Sequence, residues 1–227
     1  MKLKLIFRRY LLIVFVSIVS FVNINAQESS TSFDAGADLV SNYIWRGTKF
    51  GTGPALQPWV EFSAGNFAVG SWGSFGFTDN EAAEADLYLS YGFDFGLSIG
   101  LTDYYYPGSD YFDYSTATGS HGFEVNLGYE IAGLSLGANY MLNEAPGAGT
   151  AGGDMYFELG YSIESVSLFV GAGDGWHTST GDFAVCNVGM SVSKSLEITE
   201  SFSLPLSGSI ILNPETEQFY VVAGLSF

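Results

Sequence analysis

Carboxylates repeated along one face of alternating segments are the residues of this chain with the most chemistry to offer. Its 227 residues hold 24 Asp and Glu against 7 Lys and Arg, with 2 His. In Phe123–Ile131, Phe123, Val125, Leu127, Tyr129 and Ile131 share one side, and Glu124, Asn126, Gly128 and Glu130 share the other. Carried along the chain, that parity gives a polar face with Asp34, Asp38, Arg46, Gln57, Trp59, Glu61, Trp72, Glu84, Asp86, Tyr88, Glu124, Asn126, Glu130, Asn139, Tyr156 and Glu158. Only Arg46 among them is basic. Carboxylates enclosed together repel one another and need water, a cation or protons. Two readings follow: a hydrated passage that prefers cations or neutral solutes, and a polar core closed by hydrogen bonds. Arg46 reads as an inward guanidinium meeting Glu61 or Glu84, with substrate binding as the other reading.

Nucleophilic chemistry has less support. His121 and His177 stand beside Ser120, Thr178 and Ser179, but no hydrolase motif surrounds them. A serine hydrolase needs nucleophile and base brought together, and sequence neighbours alone do not show this. The expectation is no enzyme, no catalytic residue, no cofactor and no metal site. Asp103, Asp110 and Asp113 lie among Tyr104, Tyr105, Tyr106, Tyr111, Phe112 and Tyr114. Acids with aromatics suit Ca²⁺, a lipid headgroup or a carbohydrate, but the spacing matches no metal loop and a solvated loop is the simpler reading.

Strands must position these groups, because side chains alternate with period two. Twelve segments of about ten residues, the signature of a membrane barrel, run from Ser32–Arg46 to Gln218–Phe227. Gly65-Asn66, Ala132-Gly133 and Glu164-Ser165 leave two-residue hairpins, and Asp94-Phe95-Gly96 a three-residue loop. Each turn pairs apolar with apolar: Ala64 with Phe67, Phe93 with Leu97, Ile131 with Leu134, Ile163 with Val166. The Gly65-Asn66 register sets Trp59 opposite Trp72. Those indoles read either as packing over lumen glycines or as a stacking platform for a sugar or nucleoside ring. The turn around Lys194–Ser201 is longer and its register open. Pro58 predicts a bulge, since a closed barrel has no edge for a missing N–H.

Longer loops at the other ends include Gly47–Gly53, Pro107–His121 and Asn143–Gly153. Tyr43, Trp45 and Tyr140 are then expected at the outer aromatic rim, with Tyr91, Tyr129, Tyr161 and Phe227 at the inner one. The last strand alternates to an aromatic end at Phe227, as in outer-membrane barrels that present such a strand to the assembly machinery. Its apolar set is expected to close against Phe33, Ala35, Ala37 and Leu39.

Lys2, Lys4, Arg8 and Arg9 precede an apolar run from Tyr10 to Val22, and Ala26 is a small cleavage residue. Residues 1–26 therefore read as a secretory signal peptide and 27–227 as the barrel. Beyond residue 26 only Arg46, Lys49 and Lys194 remain as bases, so nucleic acid is disfavoured as a partner. A single Cys186 cannot form an intrachain disulfide.

The stretch Asp38–Thr48, with Tyr43-Ile-Trp45-Arg46-Gly47, followed by Pro54-Ala55-Leu-Gln57 and Glu61, resembles the opening of the TorF-type porin family. The resemblance covers about two of twelve strands. It implies a first strand ending in an aromatic-x-aromatic-Arg-Gly corner and a second that begins Pro-Ala-x-Gln and carries an acid. The sequence thus predicts an all-β, transmembrane, up-and-down antiparallel barrel of about 12 strands in the bacterial outer membrane, C-terminus periplasmic. Its partners would be outer-membrane lipid and small solutes or cations. Passive passage of small hydrophilic solutes is the expected function, and a closed structural or surface-binding barrel the alternative.

Overall fold

The computed structural model describes residues 31–78, 83–200 and 202–227. The signal peptide expected over 1–26 lies outside the described residues. In chain order the strands are β1 (Thr31–Val40), β2 (Tyr43–Trp45), β3 (Thr48–Phe50), β4 (Ala55–Ala64), β5 (Phe67–Gly76), β6 (Glu84–Gly92), β7 (Leu97–Tyr105), β8 (His121–Ile131), β9 (Leu134–Met141), β10 (Met155–Ile163), β11 (Val166–Gly173), β12 (Ala184–Thr199), β13 (Phe202–Asn213) and β14 (Gln218–Ser226). Strands β1 and β4–β14 form a closed antiparallel barrel of twelve, each paired with its sequence neighbour. Strands β2 and β3 form a separate two-stranded sheet.

Parity fixes inside and outside. Val60, Phe62, Val69, Leu87, Leu89, Leu127, Leu159 and Val221 are exposed on the outer wall. The opposite face turns inward, where glycines accept aromatic rings. Trp59 lies over Gly36, where an added Cβ would sit 2.8 Å from the indole, and Tyr88, Tyr156 and Phe169 cover Gly70, Gly171 and Gly189 in the same way. Rings over bare backbone fill lumen volume that a small barrel cannot leave empty.

The four short turns pair as expected, including Ala64 with Phe67 and Ile131 with Leu134. Ala132 and Gly133 both take positive φ, at 50° and 84°, the pattern of a tight hairpin whose twist matches its strands. Closure is narrower than expected. Leu39 pairs with Leu225, and Ala37 exchanges backbone hydrogen bonds with Phe227 at 3.0 and 3.3 Å. Phe33 and Ala35 pair with Phe62 and Val60 of β4 instead.

Three expectations need correction. The first strand does not run to Arg46; it ends at Val40, and the chain turns inward as β2–β3. Pro58 causes no bulge: Ala37 pairs with it, and the β4–β5 register is the same on both sides of it, Leu56 with Phe75 and Trp59 with Trp72. Gln57 instead bridges to β5 by donating from Nε2 to the Ser74 hydroxyl at 3.3 Å. Bulges fall elsewhere, opposite Gly171–Ala172 of β11, where Cys186 is the extra residue of β12, and at Glu197–Thr199. The turn read around Lys194–Ser201 is shorter than expected, because β12 continues as strand to Thr199.

Ala132 holds a left-handed conformation that suits Asn or Gly. Ala132→Asn is expected to stabilise the barrel by about 0.5–1 kcal/mol, and Ala132→Val to destabilise it. Urea unfolding in micelles reads both.

Candidate functional site

The long-loop half of the lumen is occupied by the hairpin β2–β3. Its register is Tyr43 with Phe50, Ile44 with Lys49 and Trp45 with Thr48, leaving Arg46-Gly47 as the turn. Both turn residues have positive φ, 49° and 82°. Arginine is a poor choice for that conformation, and such strain persists only where surroundings demand the side chain. Here they do. Arg46 donates from Nη1 and Nη2 to the two carboxylate oxygens of Glu124, at 2.6 and 2.8 Å. Its guanidinium carbon lies 4.5 Å from the ring centres of both Trp45 and Tyr156. A planar guanidinium can stack on aromatic rings while its edge meets a carboxylate.

Glu124 is fully buried on β8 and also accepts from the Tyr104 hydroxyl at 3.1 Å and Asn126 Nδ2 at 2.7 Å. A buried charge is tolerable when paired and hydrogen-bonded this completely. Gly47 reaches β12, where any Cβ would overlap the Cys186 carbonyl oxygen, and Asn213 Nδ2 donates to the Gly47 carbonyl at 3.1 Å. The hairpin leaves the wall between β1 and β4, while its turn touches β8, β10, β12 and β13. It therefore spans the lumen.

Rings fill the space around it. Trp45 meets Trp176 at 5.0 Å, His177 at 5.2 Å and Tyr104 at 5.6 Å; Tyr43 meets Trp72 at 5.5 Å. His177, from the loop after β11, is buried with neither ring nitrogen hydrogen-bonded. Burial, then the nearby Arg46 charge, pushes its pKa down to about 3, so the imidazole is neutral.

The residues read from the sequence divide by depth. Gln57, Glu84, Asp86, Glu124 and Tyr156 are buried near the hairpin. Asp38, opposite Gln57, is half-buried; toward the short turns Glu61 and Glu158 are half-buried and Asp34 and Glu130 exposed. Glu61 accepts from the Tyr88 hydroxyl at 3.0 Å, and Glu158 from Tyr156 at 2.5 Å and Asn187 at 3.1 Å. Arg46 therefore meets neither Glu61 nor Glu84; its partner is Glu124. Trp59 and Trp72 oppose each other in register but serve different neighbours, Gly36 and Tyr43. That supports packing over a shared stacking platform. Tyr43 and Trp45 belong to the plug, not to an outer rim.

Neither histidine is hydrogen-bonded to its neighbouring hydroxyls. His121 Nδ1 lies 2.9 Å from Asp103 and Nε2 2.5 Å from the Tyr111 carbonyl oxygen, with the ring stacked on Tyr105 and Tyr114. Ser179 donates to Glu215 and Thr178 to the Asp182 carbonyl. In the acidic loop, exposed Asp113 accepts from Thr118 and Ser115, bonds within the loop that hold its carboxyl below the usual range. Among the described residues no cluster of three or more His, Cys, Asp or Glu could hold a metal ion. The sequence reading missed the inward hairpin and the parts of Tyr104, Trp176 and His177 in it. One signal is present: Gly47, between aromatic segments, supplies the positive φ that a tight turn needs at its second position.

A family model described as a bacterial protein of unknown function, Gcw_chp, matches residues 25–202. A search of the curated proteins found no match. Among solved structures the chain is similar to outer membrane phospholipase A of Escherichia coli. An active-site mutant of it gives a TM-score of 0.42 at 11% identity over 91% of this chain and 93% of that one. A second structure of it gives 0.40 at 12% identity, covering 90% and 93%. The Salmonella typhi outer membrane phospholipase dimer with bound calcium gives 0.38 at 13% identity, covering 90% and 91%.

Arg46→Ala leaves Glu124 buried and unpaired and is expected to cost about 3–5 kcal/mol in urea unfolding; adding Glu124→Gln recovers part of it. His177 has a folded pKa below its unfolded value, so its contribution is complete above about pH 6.5 and fades as pH falls toward 3. Unfolding midpoints measured from pH 7 to pH 4 are expected to drop, and His177→Phe to flatten that slope.

Proposed function

The chain belongs to the bacterial Gcw_chp family, and we propose that it is an outer-membrane barrel held shut at its long-loop end by the Tyr43–Phe50 hairpin. The apolar outer wall supports a lipid setting, since an exposed belt of this extent has no stable place in water. In this reading the short turns and Phe227 face the periplasm, the long loops face outward, and the last strand is what the assembly machinery receives. The aromatic-x-aromatic-Arg-Gly corner that resembles the TorF-type porins is, in this chain, the plug.

The observation that carries the proposal is the bidentate Arg46–Glu124 contact across the lumen. A pore open at both ends would leave that space to water. Closed structural or surface-binding work is therefore the leading reading, with no hydrolytic role, supported by the engagement of both His121 nitrogens. Porin-like passage is the second reading. It is favoured by the more exposed acids Glu61, Glu130 and Glu158 below the hairpin, which would bias a vacated lumen toward cations.

Planar-bilayer recording separates the two. Wild-type protein is expected to give no steady conductance, and a variant with residues 43–50 replaced by a short Gly-Ser link to give discrete, cation-preferring steps. Steady open steps from wild type would overturn the plugged reading in favour of a porin.

A further inference from the structure

Two acids beneath the hairpin have a use that the Arg46–Glu124 pair does not explain. Glu84 and Asp86 sit two residues apart on β6, facing inward, opposite Ser74 and Trp72 of β5. Only 2% and 5% of their surfaces are exposed. Glu84 accepts a hydrogen bond from Tyr43 of the hairpin, and the two carboxyl groups lie within hydrogen-bonding contact of each other. Asp86 also accepts the Tyr105 backbone N–H. That leaves Glu84 Oε2 and Asp86 Oδ1 shielded from solvent with no donor.

No base answers them. Among the described residues, the ion pairs join Arg46 to Glu124 and His121 to Asp103. Lys49 is exposed, and Lys194 lies near the short-turn end of β12. Two neutralisers remain chemically available, a proton and a metal cation. A proton shared between the carboxyl groups satisfies their mutual contact but gives nothing to the two free oxygens. A cation is coordinated by those oxygens and offsets both charges.

We infer that Glu84 and Asp86, roofed by the Tyr43 hydroxyl, form a site for a hard divalent cation of the Ca²⁺ type that ties the hairpin to the barrel wall. The donors are oxygens, without sulfur or imidazole, which suits Ca²⁺ or Mg²⁺ and disfavours softer metals. Tyr106, from the loop after β7, also faces the site. Its phenol is held above the usual range by burial first and then by Glu84 and Asp86, as expected beside concentrated negative charge. With two carboxylates, binding is expected in the weak range of extracellular Ca²⁺ modules, about 10⁻⁴–10⁻³ M. The inference rests on the plugged-barrel reading only through Tyr43.

Tb³⁺ luminescence tests it on the full chain folded in detergent micelles, because Tyr43, Trp72 and Tyr106 stand close enough to sensitise a bound lanthanide. Excitation of the aromatic residues is expected to give a saturable signal of one Tb³⁺ per barrel, displaced by Ca²⁺. Asp86→Asn alone, and with Glu84→Gln, is expected to cut Tb³⁺ affinity at least 10-fold, while Glu158→Gln leaves it unchanged. As a second readout, Ca²⁺ raises the thermal midpoint of wild type but not of Asp86→Asn. Two results would overturn the site: no saturable signal from wild type, which assigns the pair a shared proton, or a signal that persists in the single variant. Conductance from wild type with Tb³⁺ binding intact would fail the plug and spare the site.

Discussion

The structure depends on a charge that has nowhere else to go. Arg46 is carried into the lumen on a turn its own backbone disfavours, with φ of 49°. It is held there because Glu124, fully buried on the far wall, would otherwise be a carboxylate without a counter-charge. Isolated in so enclosed a space either ion would be costly; together, with Tyr104 and Asn126 completing the carboxylate, the pair is stable and directional. The requirement propagates outward. Gly47 must be glycine to pass the Cys186 carbonyl, and the bulge at Cys186 is where the turn docks. Trp45, Tyr156, Trp176 and His177 then close around the guanidinium.

Much of the barrel was legible in the sequence because barrel strands obey a simple rule. Apolar and polar residues alternate, and a two-residue turn fixes register, so the sequence alone implies Trp59 opposite Trp72. The inward hairpin was not legible by the same rule. Tyr43-Ile-Trp45 continues the alternation of β1, and periodicity cannot tell a strand that stays in the wall from one that folds inside it. Both present an apolar face; only the tertiary surroundings differ. The sequence marks Arg46 as inward and acid-paired, but points it to Glu61 or Glu84, on strands nearer in sequence. The real partner, Glu124, is 78 residues away, and no local pattern reports a contact across a lumen.

The site also shows why a list of lumen acids is a poor guide to a pore. Glu84, Asp86, Glu124, Glu61 and Glu158 share parity, yet they stand in different physical situations. Glu124 is neutralised by arginine and Glu61 accepts a phenol near the wetter end. Glu84 and Asp86 are stripped of solvent beside each other. Depth along the barrel axis, set by strand tilt and by what the hairpin covers, decides which acids see water.

The account turns on the hairpin lying across the lumen, and the nuclear Overhauser effect between Gly47 and Asn187 tests that most directly. An ideal Cβ on Gly47 would stand 3.2 Å from the Asn187 Cα. The protein folded in micelles should therefore show a strong cross-peak between the Gly47 α-protons and the Asn187 α-proton. Its absence, with Arg46 and Gly47 at the chemical shifts of a free loop, would contradict the plugged barrel.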